Sequence, residues 1–414
     1  MLFALLFCIF YIDKQPREEG PAPDIDILKV LVRQATLRDL RYCGGLGAMK
    51  KSLVKGAYLF FTAGLCLWAG CLGEAVFYSV VNTERLENRD DVCLMDPNDK
   101  RYSVKVFQNR DGVKDFLWET DGQIVQDKLC RVKYHSLYSA NLFTVVEGKI
   151  GSGKSYPIIL DTGTSQAIFV KDIHVLDNNL PIYPMGRKDI GSDGYGVGLC
   201  YLPELRIGEV ILVNQPCFYL ERRIQFGLFG LSALKDDSII VGLPAMRKFK
   251  YIMFDYIRKE VEFSRDKVFS PPEPNSWEQY PFSIEEDFHG NDFLFVNVPI
   301  GDENVELQLD TGNGNGLAVR EELWQKISGK IGNVNLKNGT DLYPYIGKLF
   351  CRQGVIGELA LGKMKIRNAK ISVFPNDCPL LSESDGIFGS QYFQDTVMVL
   401  DFENRTMWVK ILQG

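Results

Sequence analysis

Apolar and polar residues alternate in several short stretches of the chain, which is the pattern of β-strands with one face in a core. The segments "NLFTVVEGKI" and "VELQLD" alternate in this way, and "YPIIL" is a short β-branched run. The chain also contains 38 glycines, many of them in turns between such stretches. The pattern predicts a mostly β protein. At 414 residues, 46% of them hydrophobic, the chain is long enough for two or three domains with real cores.

Two different motifs overlap between Gly148 and Ser165. Residues 148–155 match G-x-x-x-x-G-K-[ST], the phosphate-binding P-loop, and the triplet Asp161-Thr162-Gly163 lies just beyond them. A P-loop needs a helix directly after the motif, because the helix N-terminus binds the phosphates. Here Pro157 and a strand-like apolar run follow instead. The sequence therefore favours a β-hairpin, and we expect no nucleotide partner.

The triplet Asp-Thr-Gly occurs twice, at residues 161–163 and 310–312, each time after an alternating strand. Residues that match without a gap in the segments further on are Glu204 and Glu358, Gly208 and Gly362, and Asn214 and Asn368. The chain therefore contains an internal duplication. Two carboxyl groups that share one proton can act together as acid and base, so a second aspartate supplies chemistry that one alone cannot perform.

Each half resembles a lobe of the pepsin/retropepsin aspartic peptidase superfamily, and the whole chain is similar to a retropepsin dimer fused into one chain. The resemblance implies a bilobal, mostly β fold of two pseudo-twofold-related, barrel-like lobes with the active cleft between them. It implies a monomer with an internal pseudo-dimer. It also implies an endopeptidase that hydrolyses peptide or protein substrates, with Asp161 and Asp310 as the catalytic pair. A scaffold that keeps the fold and binds peptides without turnover is the alternative.

The resemblance assigns supporting roles to four glycines. Gly163 and Gly312 let the backbone turn tightly after each Asp-Thr. In the family, two hydrophobic residues and a glycine pack beneath each active-site loop, and these match the segments that end at Gly242 and Gly389. Gly230 competes for this role in the first half. We prefer Gly242, because only it keeps the spacing to the next matching aspartate.

The resemblance also assigns roles to the hydroxyl groups beside the aspartates. Thr162 and Thr311 are expected to hydrogen-bond across the pseudo-twofold axis and to lock the two loops together. Thr164 is placed to donate to the outer oxygen of Asp161. The second half departs from this pattern, because Asn313 stands at the equivalent position and offers an amide instead of a hydroxyl.

Two glycine-containing segments correspond to hairpins that could cover the cleft. The segment "DIGSDGYGVGLC" carries Tyr195, and "DLYPYIGKLFC" carries Tyr345. A flexible hairpin with an aromatic residue near its tip suits a flap that excludes water. Two ordinary turns are the alternative.

The duplication sets the domain boundaries. The predicted domains are lobe 1 at 134–265, a linker at 266–280 and lobe 2 at 281–414. Residues 76–133 lie outside the duplication, and their pattern suggests hairpins that turn at Asp111-Gly112 and Asp121-Gly122. Three interpretations fit this segment equally, namely a small β module, a segment that contributes strands to lobe 1, or a pro-segment that is cleaved off.

Charge and histidine content exclude several other functions. The formal net charge is −6 and the sequence has no basic stripe, so we expect no nucleic-acid partner. The three histidines, His135, His174 and His289, are scattered along the chain, and they suggest neither a metal site nor a nucleophilic triad. We expect no metal and no cofactor.

The N-terminus carries a segment with the layout of a bacterial lipoprotein signal. Residues 49–71 contain three lysines, an apolar stretch and then Ala69-Gly70-Cys71, which predicts an exported protein with a lipid on Cys71 and a membrane anchor. The departure is Trp68, where such signals usually carry leucine. Residues 1–48 are interpreted as a non-native extension before a start at Met49. A cleaved signal peptide without lipid and an uncleaved anchor are the alternatives.

Six cysteines follow the signal segment and fall along the chain as three nearby pairs. The expected disulfides are Cys93–Cys130, Cys200–Cys217 and Cys351–Cys378. An oxidising compartment would favour such pairing. Reduced cysteines in the core are the alternative.

Replacing Cys71 by Ser is expected to move the protein from the membrane fraction to the soluble fraction, because the lipid has no other attachment point. Fractionation followed by immunoblotting measures this shift. The matched control, Cys66→Ser in the discarded segment, should leave the protein on the membrane. Detection of residues 1–48 in the mature protein by mass spectrometry would contradict the start at Met49.

Overall fold

A computed structural model describes residues 76–108, 114–125, 129–135, 144–188, 195–228, 231–287, 291–332, 334–343 and 347–410. The described chain divides into two compact units, one that contains residues 76–79 and 225–235 and one that contains residues 80–224 and 236–410. In the smaller unit, Gln225 pairs with Lys235 in an antiparallel ladder. The larger unit contains both Asp-Thr-Gly triplets.

Several sequence predictions concern residues outside the described ranges. They are the extension at 1–48, the signal segment with Cys71, the turn at Asp111-Gly112, Gly230, His289 and Tyr345. Within the described residues, no helix is long and apolar enough to cross a bilayer.

Strands dominate the described chain, so the predicted mostly β fold is confirmed. The strands are β1 (Val76–Asn82), β2 (Val104–Gln108), β3 (Lys114–Trp118), β4 (Gln123–Val125), β5 (Cys130–Lys133), β6 (Val145–Ile150), β7 (Ser155–Asp161), β8 (Ile168–Lys171), β9 (Ile182–Lys188), β10 (Tyr195–Ile207), β11 (Val210–Leu220), β12 (Arg222–Leu228), β13 (Leu231–Lys235), β14 (Ile239–Gly242), β15 (Tyr251–Asp255), β16 (Glu260–Ser264), β17 (Trp277–Glu286), β18 (Asp292–Ile300), β19 (Glu303–Asp310), β20 (Leu317–Arg320), β21 (Lys337–Tyr343), β22 (Gly347–Leu361), β23 (Met364–Phe374), β24 (Gly386–Gly389), β25 (Val397–Asp401) and β26 (Thr406–Lys410).

Helices are short in the described chain. The α-helices are α1 (Asp172–Asn178), α2 (Leu243–Met246) and α3 (Glu321–Ile327). Single 3₁₀ turns occur at Leu86–Asn88, Lys100–Tyr102, Pro274–Ser276, Ser328–Lys330, Pro379–Leu381 and Ser390–Phe393.

Six strands of the first half close into a barrel. Their order is β6, β7, β14, β8, β11 and β10, and the barrel closes because β10 pairs with both β11 and β6. Every second residue of β7 is buried, namely Tyr156, Ile158 and Leu160. The alternation in the sequence therefore reflects one face of a barrel wall, as a period of two requires.

The second half repeats this barrel strand for strand. Its order is β18, β19, β24, β20, β23 and β22, and a pairing between Ile300 of β18 and Leu361 of β22 closes it. In both barrels, the strand that ends in aspartate runs parallel to a short strand that ends in glycine. The internal duplication is thus a duplication of the whole barrel.

A third sheet joins the two halves. Its order is β17, β26, β25, β15, β16 and β5, so each half contributes three neighbouring strands. The central pairing is antiparallel and places Met253 of β15 opposite Val399 of β25. Strand β17 begins at Trp277, inside the segment interpreted as a linker, and it continues into the second barrel by pairing with β18.

Residues 76–133 contribute strands to the first half. Strand β4 pairs with β11 of the barrel, and β5 pairs with β16 of the shared sheet. The hairpin β2–β3 packs on the barrel through Phe116, whose ring centroid lies 5.3 Å from that of Phe218. The hairpin predicted at Asp121-Gly122 is wrong, because β4 turns away from β3 and buries Ile124 against the barrel.

The described cysteines are free thiols, so the disulfide prediction is wrong for this structure. The free thiols are Cys93, Cys130, Cys200, Cys217, Cys351 and Cys378. Cys130 is buried, and its sulfur accepts a hydrogen bond from the Glu209 N–H at 3.3 Å. Cys200 and Cys217 lie opposite each other in β10 and β11, and burial raises the pKa of Cys217. Buried thiols of this kind act as small apolar side chains.

An ion pair links the two halves at Asp292. This carboxylate is 2% exposed, and its Oδ2 lies 3.0 Å from Nε of Arg247, which follows α2 in the first half. Its Oδ1 has no hydrogen-bond partner in the described chain. Burial raises the pKa of Asp292 to about 6, and the positive charge of Arg247 opposes this rise only in part.

Asp292→Asn is expected to remove a pH dependence from the free energy of unfolding. The pKa of Asp292 is higher in the folded protein than the value of about 3.9 in an unfolded chain, so the folded state binds more protons between these values. The contribution of Asp292 to stability therefore falls as the pH rises from about 4 to about 6. Asparagine cannot ionise, so the variant should lack this fall.

Urea unfolding of both proteins between about pH 4 and pH 7 measures the difference. Glu403→Gln is the matched control, because Glu403 is half exposed and pairs only at the surface with Lys250. Parallel pH profiles for the wild type and Asp292→Asn would contradict the assignment.

Candidate active site

The two Asp-Thr-Gly triplets lie at equivalent ends of two barrel strands. Strand β7 ends at Asp161 and β19 ends at Asp310, and the chain turns directly after each. In the parallel neighbours, Gly242 of β14 lies opposite Asp161 and Gly389 of β24 lies opposite Asp310. Both aspartates are therefore held by hydrogen-bonded strands, which is a rigid base for a site.

Only glycine fits beneath the two loops. A Cβ atom on Gly242 would lie 2.6 Å from the carbonyl oxygen of Thr164, and one on Gly389 would lie 2.9 Å from that of Asn313. These distances are shorter than real Cβ contacts allow. The glycines thus let the short strands β14 and β24 approach the loops that follow the aspartates.

Thr162 and Thr311 hydrogen-bond to each other's loop. The N–H of Thr162 donates to Oγ1 of Thr311 at 3.0 Å, and the N–H of Thr311 donates to Oγ1 of Thr162 at 3.0 Å. Each hydroxyl then donates across to the other strand, from Thr162 to the Leu309 carbonyl at 2.7 Å and from Thr311 to the Leu160 carbonyl at 2.8 Å. Both threonines are fully buried. Four hydrogen bonds shielded from water therefore tie the two loops together.

Each aspartate lies over the glycine of the other triplet. A Cβ atom on Gly163 would come within 2.6 Å of Oδ1 of Asp310, and one on Gly312 would come within 2.6 Å of Oδ2 of Asp161. The N–H groups of these glycines donate to the aspartates of their own loops, at 2.8 Å for Asp161 and 2.9 Å for Asp310. The backbone thus orients both carboxyl groups and leaves no room for a side chain between them.

The two carboxyl groups interact directly. Burial raises the pKa of Asp310 well above its usual range, and the charge of Asp161 and a hydrogen bond with it raise that pKa further. Two carboxylates in contact cannot both ionise easily, so the pair holds one proton over a wide pH range. Such a pair offers a base and an acid side by side.

The residues that follow the triplets differ between the halves. Oγ1 of Thr164 donates to Oδ2 of Asp161 at 2.6 Å. The side chain of Asn313 accepts the N–H of Asn315 at 2.9 Å through its Oδ1, and it also interacts with the hydroxyl of Tyr343. The donor that Asn313 was expected to offer is therefore not directed to Asp310.

The two flap predictions have different outcomes. Tyr195 is only 6% exposed at the start of β10, and the guanidinium of Arg222 lies 4.9 Å from its ring centroid. Its ring is packed against the protein, whereas the prediction placed it near the tip of a flexible hairpin. Tyr345 lies outside the described residues, and its neighbour Tyr343 is the aromatic residue that the structure places near Asp310.

Tyr343 is the residue near the aspartates that the sequence analysis missed. It is 5% exposed, and its ring centroid lies 6.0 Å from that of Phe374. Burial raises the pKa of its hydroxyl, and the charges of Asp341 and Asp310 also act on it. Tyr343 is the last residue of β21, whose sequence does not alternate between apolar and polar residues, so no pattern in the sequence pointed to it.

The P-loop match forms a hairpin, as the sequence analysis favoured. Lys149 of β6 pairs with Ser155 of β7, and no helix follows. Lys154 forms an ion pair with Asp177 and lies 5.1 Å from the ring centroid of Tyr156. Among the described residues, no cluster of three His, Cys, Asp or Glu side chains is arranged to hold a metal ion.

Comparison with other proteins gives similarity at the level of solved structures. No protein-family model matches the chain, and no curated protein sequence matches it. The chain is similar to the basic 7S globulin from soybean, with 9% identity and a TM-score of 0.37 over 70% of this chain and 96% of that one. It is also similar to an aspartic proteinase from Irpex lacteus, with 11% identity and a TM-score of 0.42 over 69% of this chain and 98% of that one.

Thr162→Val and Thr311→Val should each lower the free energy of unfolding by about 2–4 kcal/mol, because each leaves buried polar groups of the other loop without a partner. The double variant should cost less than the sum of the two, since both changes break one network. Urea unfolding measures all three. Thr340→Val, at an exposed position of β21, is the matched control. Additive losses would show that the two threonines are energetically independent.

Proposed function

We propose that the protein is an aspartic endopeptidase. The observation that supports this most directly is the pair of buried, interacting carboxyl groups of Asp161 and Asp310, held by crossed hydrogen bonds between Thr162 and Thr311. This arrangement gives one acid and one base at contact distance, which is what hydrolysis of a peptide bond by an activated water needs.

In the proposed reaction, the ionised aspartate removes a proton from a water molecule as the water oxygen attacks the peptide carbonyl carbon. The protonated aspartate gives its proton to the carbonyl oxygen, and a neutral tetrahedral diol forms. In the second stage of the reaction, the diol returns a proton to the aspartate that is now ionised. The other aspartate protonates the leaving nitrogen, and the C–N bond breaks. The pair ends with one shared proton, as it began.

The proposed substrate is a peptide or protein segment in an extended conformation, bound in a cleft between the two barrels. The buried loops beneath the aspartates restrict access of the substrate to one side of the pair. Because the proposed mechanism needs neither metal nor nucleophilic side chain, chelators and serine or cysteine reagents should not inhibit it.

We also propose that the protein is exported and anchored to a membrane through Cys71. The support is the lipoprotein-type layout of residues 49–71. The described cysteines add nothing to this proposal, because all six are free thiols.

A peptide-binding protein without turnover is the second candidate. The observation that favours it is the side chain of Asn313, which leaves Asp310 without the donor that Thr164 gives Asp161. The two candidates differ in one measurable respect, since only the first cleaves what it binds.

Asp161→Asn and Asp310→Asn should each reduce cleavage of a peptide library by at least about 10²-fold, because neither carboxyl group can serve as both acid and base. Mass spectrometry of the library measures the cleavage, and circular dichroism checks that the variants fold. Asp302→Asn is the matched control, since this aspartate is exposed and pairs with Lys330. Retention of most activity by Asp310→Asn would contradict the proposal, and peptide binding without cleavage by the wild type would favour the second candidate.

A further inference from the structure

The two aspartates differ in their side-chain hydrogen bonds. Asp161 accepts one from the N–H of Gly163 at 2.8 Å and one from the hydroxyl of Thr164 at 2.6 Å. Asp310 accepts the N–H of Gly312 at 2.9 Å, and the backbone N–H of Asn313 also acts on it. No side chain in the described part of the second half donates to Asp310 as Thr164 donates to Asp161. The two halves repeat one backbone, so this difference comes from the side chain at one position.

The backbone of Asn313 is fixed by the strand beneath it. Its carbonyl oxygen accepts the N–H of Ser390 at 2.9 Å and the Ser390 hydroxyl at 3.0 Å. In the first half, the carbonyl of Thr164 likewise accepts the N–H of Leu243 at 3.0 Å. The two positions are therefore equivalent in the backbone, and a hydroxyl-bearing residue at 313 would have the same approach to Asp310 that Thr164 has to Asp161.

The side chain of Asn313 is held in a different direction. Its Oδ1 accepts the N–H of Asn315, two residues further on, which is the local turn that asparagine favours. The residue is only 6% exposed, and its side chain lies beside the buried hydroxyl of Tyr343, with which it interacts. The turn therefore prevents the side chain of Asn313 from serving Asp310 as a donor.

A hydrogen bond to the charged form of a carboxyl group favours that form. Both aspartates have backbone N–H donors, but Asp161 also has the hydroxyl of Thr164, so the negative charge of the pair is better accommodated there than on Asp310. The titratable groups that face Asp310 are Asp161 and Tyr343. Burial raises the pKa of Tyr343, so its hydroxyl stays neutral and adds no charge to compete with this preference.

We propose that Asn313 is a positioning residue that keeps the shared proton on Asp310. This inference rests on the proposed function for its mechanistic meaning. In the attack on the peptide carbonyl, Asp161 is then the base that deprotonates water, and Asp310 is the acid that protonates the carbonyl oxygen. The order of roles is set by one side chain outside the catalytic pair.

A pH profile of kcat/KM has two limbs that depend on this pair. The acid limb reports the first ionisation of the pair, and the alkaline limb reports the loss of the remaining proton, which the proposal places on Asp310. Asn313→Thr gives Asp310 a donor and should move the alkaline limb about one pH unit lower while the acid limb stays. Thr164→Val removes a donor from Asp161 and should move the acid limb higher while the alkaline limb stays.

The controls separate this effect from a general disturbance. Asn338→Thr makes the same substitution at an exposed position of β21 and should leave both limbs unchanged. Asn313→Ser supplies the hydroxyl without the β-branch, so it replaces Asn313→Thr if that variant does not fold. Shifts of the alkaline limb by Thr164→Val, or of the acid limb by Asn313→Thr, would overturn the inference.

A titration followed by NMR locates the shared proton without any need for turnover. In protein labelled with carbon-13 at the aspartate carboxyl groups, the signals of the pair are assigned with Asp161→Asn and Asp310→Asn. The Asp310 signal should change chiefly in the step at higher pH, and Asn313→Thr should shift that step to lower pH. Equal titration of both signals, or the reverse order, would overturn the inference. If the wild type cleaves no peptide, the proposed function fails while this titration still tests where the proton lies.

Discussion

The crossed hydrogen bonds between Thr162 and Thr311 are the interaction on which the rest of the site depends. Each buried hydroxyl satisfies a backbone carbonyl at the end of the opposite strand, and each buried N–H finds its acceptor in the opposite loop. Neither half can satisfy these groups alone, and an unsatisfied buried polar group is costly. The position of the two carboxyl groups follows from this constraint, because each aspartate directly precedes one of the threonines.

Much of the fold was predictable because a strand with one buried face leaves a period of two in the sequence, as in β7 and β19. The duplication extended that information, since two matched segments must form the same local structure. Pairing between distant strands left no such trace. Strand β4 has only three residues. It pairs with β11 and not with β3 because this pairing buries Ile124 in the folded protein. Cysteine spacing likewise could not show that the thiols stay free.

The candidate site was predictable as far as its chemistry demands particular residues. Two aspartates and two threonines in matched contexts can be found by comparing the halves. The direction of the Asn313 side chain could not be found in this way, because Asp310 and the Asn315 N–H compete for its amide group. Tyr343, the aromatic residue that lies near Asp310, was missed for a related reason. Spacing from the aspartate counts residues, whereas the position of an aromatic ring depends on where the strand β21 ends.

The sheet that joins the halves has a consequence for symmetry. Strands β15 and β25 pair antiparallel at its centre, so an assembly of two identical halves could form the same sheet about a true twofold axis. In that assembly, any substitution beside one aspartate would appear beside the other as well. A single covalent chain is free of this restriction. Each barrel can therefore accumulate its own substitutions, and the two sides of one active centre can specialise independently while the shared sheet keeps them in register.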